Sequence, residues 1–319
     1  MNKKVNMIIG TGVLGAYLSS FLLNKNEKVI VTSRSLIKKI SNYEALKIKN
    51  KIKFVKLNVN NKKQIEKLIK KYNPKKIFYF SGQSSITKSI KNKKETIRSH
   101  YDGTKNFLEI IKQKHLNLKF FKANSGYIFS PNKGIVSLKS KLSSNRNPYV
   151  VAQQKTFRLI KKYRDEGLSV YNLIFMQVES PLRPNDFFIK KVCIAAKYKK
   201  KIIVGNINTY RDYSWVTEII KAIFLTSNLK AQDYFISAGK KMSGKKILKK
   251  AYSLSNLNYK NYFSSNKKYF RTNENKILIG SAKNSFYLKN KFNFSFKIFG
   301  DRLIKEMYKN CLLYTSPSP

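Results

Sequence analysis

Near the start of the chain, Gly10-Thr11-Gly12-Val13-Leu14-Gly15 spells G-x-G-x-x-G between the apolar run Val5–Ile9 and the apolar Ala16-Tyr17-Leu18. Strand, glycine turn and helix start, in that order, suit a dinucleotide pyrophosphate. The glycines permit a tight turn and close backbone approach, and the helix N-terminus offers free N–H groups to phosphate. The next strand ends in Thr32-Ser33-Arg34-Ser35. No acid stands there for a ribose 2′-OH, whereas Arg34 suits a 2′-phosphate, so the expected cofactor is NADP rather than NAD. Further on, Asn147-Pro148-Tyr149 opens a helical pattern. A tyrosine at a helix start facing a nicotinamide is a general acid/base, but a phenol of pKa about 10 costs about 4 kcal/mol to ionise at pH 7 without a nearby cation. One turn on, at i+4, the chain has Gln153; Lys155, at i+6, points nearly the opposite way.

These residues need a scaffold that brings them together. Strand-like runs at Val5–Ile9, Val29–Thr32, Lys53–Leu57, Lys76–Phe80, Leu118–Ala123 and Ser169–Phe175 alternate with helical patterns over about 13–24, 62–72, 103–113 and 149–165. Such alternation predicts βαβ units with right-handed crossovers. The fold class is α/β, a Rossmann-type doubly wound parallel sheet with a smaller C-terminal substrate-binding lobe. Residues 1–180 form the expected NADP-binding domain. Residues 181–310 form mainly the substrate lobe, with some segments returning to the first domain, and residues 311–319 form an unstructured tail. Lys190–Tyr198 and Val216–Leu225 read as helical and Lys201–Val204 as strand; beyond Asn228 the pattern is short and irregular.

Composition narrows the class of function. The chain has 319 residues and a net charge of +50, from 66 Lys and Arg against 16 Asp and Glu. The lysines are spread along the whole length, without a basic arm or a nucleic-acid reading motif. They indicate compositional bias in an ordinary enzyme, with nonspecific polyanion binding as a by-product. Cys193 and Cys311 make no disulfide framework, and no Cys/His spacing suits a metal. A reducing, cytoplasmic location is expected, and no run has the length of a membrane span.

Several motifs, in order, resemble the extended short-chain dehydrogenase/reductases, and most of all the GDP-mannose 4,6-dehydratases and their 4-keto-6-deoxymannose reductase relatives. Gly12 to Leu18 is similar to that family's cofactor loop and helix. Ser81-Gly82-Gln83-Ser84 is similar to its loop after the fourth strand, and Gly103-Thr104 to the start of its next helix. Glu179-Ser180-Pro181 with Arg183 matches the beginning of its substrate lobe. Arg211-Asp212-Tyr213, followed by Val216 and Glu218, resembles R-D-[WYF]-x-x-[VA]-x-D. Phe270-Arg271 with Glu274 resembles R-P-x-E. The resemblance implies a homo-oligomer acting on a nucleotide sugar, GDP-linked by family. It places Ser125, Tyr149, Tyr127 and Gln153 at catalytic positions. It places Gly10 to Gly15, Arg34, Asn58, Val59, Phe80, Ser81, Gly82 and Tyr149 around the cofactor. Ser84, Gln177, Glu179, Arg183, Arg211, Arg271 and Glu274 fall around the substrate, with guanidinium groups matched to diphosphate. No metal is implied.

The departures from the family pattern bear on chemistry. Gly10 is displaced in a first loop one residue short of G-x-x-G-x-x-G, and Asn58 replaces an adenine-contacting Asp. The family's S-T-x-E becomes Asn124-Ser125-Gly126-Tyr127, and its Y-x-x-x-K becomes Tyr149 with Gln153. In a dehydratase of this kind, Tyr149 takes the sugar C4-OH proton as hydride leaves C4. A carboxylate then removes the C5 proton and water leaves C6. Ser125 can hold the 4-OH, but Tyr127 is a weak base for C5, so elimination is the least supported step. Three readings stand side by side: an NADP-dependent enzyme with hydride transfer at C4, including a 4-keto sugar reductase or epimerase; a non-catalytic relative that binds NADP or nucleotide sugar; and, on charge alone, a nucleic-acid-binding Rossmann protein.

Overall fold

The computed structural model describes residues 5–35, 40–270 and 274–312. Its strands, in chain order, are β1 (Val5–Ile9), β2 (Lys28–Ser33), β3 (Lys53–Lys56), β4 (Lys76–Tyr79), β5 (Lys119–Ser125), β6 (Ile135–Val136), β7 (Val170–Phe175), β8 (Gln177–Glu179), β9 (Ile202–Val204), β10 (Tyr210–Trp215), β11 (Asp233–Ile236), β12 (Lys241–Ser243), β13 (Phe263–Ser265) and β14 (Ile277–Gly280). Two compact units divide the chain. Of the described residues, the first comprises those within 1–130, 141–175 and 223–235, and the second those within 131–140, 176–222 and 236–319.

The first unit is built on a seven-stranded sheet of order β11-β7-β5-β4-β1-β2-β3. The six strands from β7 to β3 pair in parallel. The order reverses beside β1, where a doubly wound sheet opens a crevice at its carboxyl edge. Alternation along the strands sends side chains to opposite faces. On one face Met7, Ile9, Ile77, Tyr79 and Phe120 form a core with residues of the helices Lys62–Tyr72, Gly103–Gln113 and Pro148–Asp165. On the other, Phe78 stacks on Phe121 with ring centroids 4.7 Å apart, and Phe121 on Tyr171 at 4.3 Å. β7 is buried at every position, as a strand covered on both faces must be.

Residues 86–102, which carry no clear apolar period, are helical here. Two short helices, Ile86–Lys91 and Lys93–Ile97, lead through a wider π-type turn, Arg98–Asp102, into Gly103–Gln113. Gly103 is needed there because a Cβ would lie 2.2 Å from the Tyr79 hydroxyl. After Asn228, Asp233–Ile236 returns as the edge strand of the first sheet.

The second unit holds the path β12-β10-β14-β6, with β8 pairing β10, and a separate β9–β13 pair. Its core joins Ile189, Val192 and Cys193 to Ile247, Leu248 and Ala251 and to Leu303, Ile304 and Met307. These come from three helices, Phe188–Lys197, Gly244–Ser253 and Gly300–Asn310. The last two lie in the stretch that reads as irregular in sequence. In Gly244–Ser253, Lys245, Lys246, Lys249 and Lys250 dilute an apolar stripe that tertiary packing nevertheless uses. Among the described residues, no helix is long and apolar enough to cross a membrane, and no cluster of His, Cys, Asp or Glu could hold a metal ion.

Candidate active site

β1 ends at Ile9 and the helix Val13–Leu23 begins after only three residues. Gly10 has φ +113°, and a Cβ on it would press within 3.0 Å of the Ser81 backbone. Gly15 lies so close beneath the turn that a Cβ would sit 2.3 Å from the Gly10 carbonyl oxygen. Gly12 differs: nothing lies within 4 Å of where its Cβ would be, and it caps the helix without a side-chain hydrogen bond. The first turn carries no acidic residue and the space beside Gly12 is open, so a pyrophosphate fits this cradle. Thr11 is buried, its hydroxyl 3.5 Å from Ser33 Oγ; Val13 and Leu14 are half-buried.

Arg34 follows β2 and is ion-paired with Glu95, both side chains largely exposed. Asn58 is exposed, and its side-chain oxygen accepts the Asn60 N–H at 3.1 Å. Val59 is buried and its carbonyl accepts from Asn106 at 3.0 Å. The loop after β4 carries half-buried Phe80 and Ser81 and exposed Gly82 and Ser84. Gly82 has φ +137°, and a Cβ there would fall 2.2 Å from the His100 ring.

Ser125 closes β5. Its Oγ accepts the Tyr127 N–H at 3.2 Å, and its own N–H donates to Asn124 Oδ1 at 2.8 Å. Tyr127 is half-buried in the following turn, Gly126–Ile128. Tyr149 is the second residue of Pro148–Asp165, where Asn147 Oδ1 accepts its N–H at 2.9 Å. Two contacts tie helix to strand end: Asn124 Nδ2 donates to the Gln153 carbonyl at 3.3 Å, and Gln154 Nε2 donates to Ile128 and Ser143 carbonyls at 3.0 and 2.7 Å. Gln153 is buried, and its Oε1 has no hydrogen-bond partner. Lys155 is exposed, with its ammonium 5.9 Å from the Tyr101 ring.

Two buried residues of the first unit, His100 and Lys122, escape a reading of sequence alone. The His100 ring meets the Tyr149 ring edge-on, with centroids 5.8 Å apart. Its Nε2 lies 2.9 Å from the Gln83 carbonyl, which only accepts, so Nε2 carries the proton and Nδ1 is left buried without a partner. Lys122 on β5 is 1% exposed; its ammonium donates to the Ala123 carbonyl at 2.5 Å and lies 5.3 Å from the Tyr79 ring. Burial pushes Lys122 down to about 7. Burial, reinforced by the charge of Lys122, pushes His100 down to about 3. In the sequence, Lys122 sits in Phe-Phe-Lys-Ala-Asn-Ser, where alternation suggests a solvent-facing lysine.

In the second unit, Gln177 and Glu179 lie on β8, paired with Tyr213 and Trp215 of β10. Glu179 is 2% exposed. Burial raises its carboxyl, opposed by Arg183 at 3.3 Å. Arg183 also donates to the Val178 carbonyl at 2.6 Å and stacks 3.6 Å from the Phe187 ring centroid. Arg211, on β10, binds Glu274 Oε1 at 2.6 Å. Asp212 is buried and accepts backbone N–H groups of Gly239 and Gly280 at 3.0 and 3.2 Å; burial raises it to about 7 against those bonds. Arg271 lies outside the described residues.

The first unit thus gathers the glycine turn, Arg34, the loop after β4, Ser125 and Tyr149 at the carboxyl ends of strands in one sheet. This fold defines an extended short-chain dehydrogenase/reductase. The dTDP-glucose 4,6-dehydratase of Bacillus anthracis, solved in complex with NAD, aligns over 96% of both chains with TM-score 0.82 and 18% identity. The UDP-glucuronic acid 4-epimerase of Bacillus cereus, solved with UDP-glucuronic acid and NAD, aligns over 96% of this chain and 98% of its own, with TM-score 0.83 and 16% identity. Within that class, the GDP-mannose 4,6 dehydratase family matches residues 8–307, and the chain belongs to it. GDP-mannose 4,6 dehydratase 1 of Arabidopsis thaliana is 24% identical, over 96% of this chain and 89% of its own length. The Dictyostelium discoideum GDP-mannose 4,6 dehydratase is 23% identical, over 98% and 97%. The family is one of nucleotide-sugar dehydratases and epimerases.

Proposed function

We propose that this protein is an NADP-dependent enzyme acting on a GDP-linked sugar, with hydride transfer at sugar C4 and Tyr149 as the acid/base. The observation that carries this reading is the pairing of an open glycine cradle after β1 with Ser125 and Tyr149 at the carboxyl edge of the same sheet. When bound, the nicotinamide supplies the hydride acceptor or donor. The cradle of Gly10, Gly12 and Gly15 would hold the pyrophosphate, and Arg34 the 2′-phosphate in exchange for Glu95. Ser125 Oγ orients the sugar 4-OH, and Tyr149 Oη takes its proton. Arg183 and Arg211 are the diphosphate ligands, with Glu179 and Glu274 holding their guanidinium planes.

Tyr127 stands where the family carboxylate would remove the C5 proton. A phenol is a poor base for that step, so oxidation, reduction or epimerisation at C4 ranks ahead of dehydration. A second reading, a binding protein without turnover, draws on Gln153, a neutral side chain one turn from Tyr149. Incubating the protein with NADP and GDP-, UDP-, dTDP- and CDP-sugars tests both. A 4-keto product that disappears in Tyr149→Phe supports the enzyme. Tight NADP binding with no product, unchanged in Tyr149→Phe, supports the binding protein.

A further inference from the structure

Two amides lie where the sheet has no evident use for them. Asn172, in the middle of β7, is 0% exposed, and Asn124, diagonal to it on β5, is 4% exposed. A buried amide is tolerated when its polar atoms are partnered, and apolar groups of the same shape would be about as stable. What the amides add is direction. Asn124 Oδ1 accepts the Ser125 N–H at 2.8 Å. Its Nδ2 donates to the Gln153 carbonyl at 3.3 Å and to Asn172 Oδ1 at 3.4 Å. Asn172 Nδ2 in turn donates to Asp233 Oδ1 at 2.9 Å and to the Phe157 carbonyl at 3.5 Å. The same Asp233 oxygen accepts from Arg164 at 2.5 Å, and Arg164 Nε donates to the Val170 carbonyl at 2.9 Å. Each amide can sit only one way round, because a flipped Asn124 would turn its oxygen on two acceptors.

We propose that Asn124, backed by Asn172, is a positioning residue that sets the register of the Tyr149 helix against Ser125. This rests on Ser125 and Tyr149 acting together at the sugar C4. The two hydroxyls come from different elements, the end of β5 and the start of Pro148–Asp165. The apolar contacts of that helix, through Leu159, Ile160 and Tyr163, are non-directional and permit small slides along the sheet. The polar chain does not. It holds the helix at Gln153, Phe157 and Arg164, and it runs from β11 through β7 to β5. Its last member holds the Ser125 backbone with one atom of its amide and the helix, one turn after Tyr149, with the other. A slide of 1 Å between two reacting groups costs about a hundredfold in rate, so a link of fixed length between them bears directly on turnover.

The test has two arms. The first is the NMR signal of the Tyr149 ring in protein carrying 13C-labelled tyrosine, assigned by its loss in Tyr149→Phe. That ring meets His100 edge-on, so its shift reports where the helix start sits. Asn124→Ala should move the Tyr149 signal while the signal of Tyr252, in the second unit, stays in place. Asn124→Asp should move it too, because a carboxylate keeps the Ser125 N–H bond but cannot donate to the Gln153 carbonyl. The second arm is a double-mutant cycle on turnover. Asn124→Ala should lower kcat about ten- to a hundredfold with KM and NADP affinity held within about twofold, and it should cost nothing further once Ser125→Ala is present. An unmoved Tyr149 signal in Asn124→Ala overturns the proposal. So do losses of turnover that multiply in the double variant, which mark general destabilisation. Asn172→Leu is measured in the same way should the Asn124 variants not fold. Wild-type turnover in Ser125→Ala would instead overturn the assigned chemistry, and the Tyr149 signal would still decide whether Asn124 sets the register.

Discussion

The two units differ in what meets their buried charges. In the second, every buried ionic group named here has a dedicated partner. Arg211 meets Glu274, Arg183 meets Glu179, Asp212 takes two backbone amides, and Lys190 donates to the Pro181 and Arg183 carbonyls at 2.7 and 2.8 Å. In the first, Lys122 is as deeply buried with a single carbonyl as its hydrogen-bond acceptor, whereas in the second Glu179 and Asp212 each keep one oxygen unpartnered but meet a guanidinium or backbone amides through the other. Paired charges hold geometry; a charge left half-satisfied keeps electrostatic potential available. The second unit therefore holds its buried charges through ion pairs and backbone amides, and the first holds Lys122 without a counter-charge among the described residues.

The sharpest break in this comparison comes from removing one partner in each unit. Glu274→Ala leaves Arg211, whose side chain is 5% exposed, without its carboxylate and should destabilise the protein by about 3 kcal/mol, read as a lower midpoint in urea. Lys122→Met should have the opposite sign, stabilising by about 1–3 kcal/mol at pH 7, because it removes a buried cation and leaves no charge behind. The pH dependence follows from the lowered lysine. Between about 7 and 10.5 the unfolded chain holds a proton on Lys122 that the folded chain has shed. Stability attributable to this group should thus rise across that window and be flat below it, a slope that Lys122→Met abolishes in denaturant titrations at pH 6, 7.5 and 9.

Smaller effects sharpen the picture within the first unit. Gly12→Ala meets no atom within 4 Å, so it should leave thermal stability unchanged while weakening NADP about tenfold, by standing where the pyrophosphate approaches. Isothermal titration checks that split, and a matched loss of stability would count against the cradle. Glu95→Gln frees Arg34 and should tighten NADP a few-fold without changing NAD affinity, since the pair is surface-exposed and worth about 1 kcal/mol at most.

Much of the first unit is legible residue by residue. The glycine turn declares itself because the need for positive φ at Gly10 and for close approach at Gly15 is local. The helix Lys62–Tyr72 is equally plain, with Ile65, Leu68 and Ile69 on one face and Asn61 capping it through the Gln64 N–H. The helices Gly244–Ser253 and Gly300–Asn310 are harder to see, because in the first the buried residues are interleaved with as many lysines and other unburied residues, and in the second only Leu303, Ile304 and Met307 are buried. Arg183, Arg211 and Glu274 can be singled out by type and motif, yet nothing local says that Arg211 will meet a carboxylate 63 positions away.

Sequence alone determined most elements of the parallel sheet and the kinds of chemistry available: a glycine turn of the type that suits phosphate, an arginine after the second strand, a serine and a tyrosine at strand and helix ends, and a glutamine one turn after that tyrosine. These follow from spacing over a few residues, where backbone geometry acts directly. Tertiary structure decided the company they keep. Pairing β5 with β4 and covering both with helices buried Lys122, a surface-like residue in sequence, and brought the His100 ring edge-on to Tyr149. Burial and long-range register exist only once the chain has closed on itself, and the electrostatics of this site depend on both.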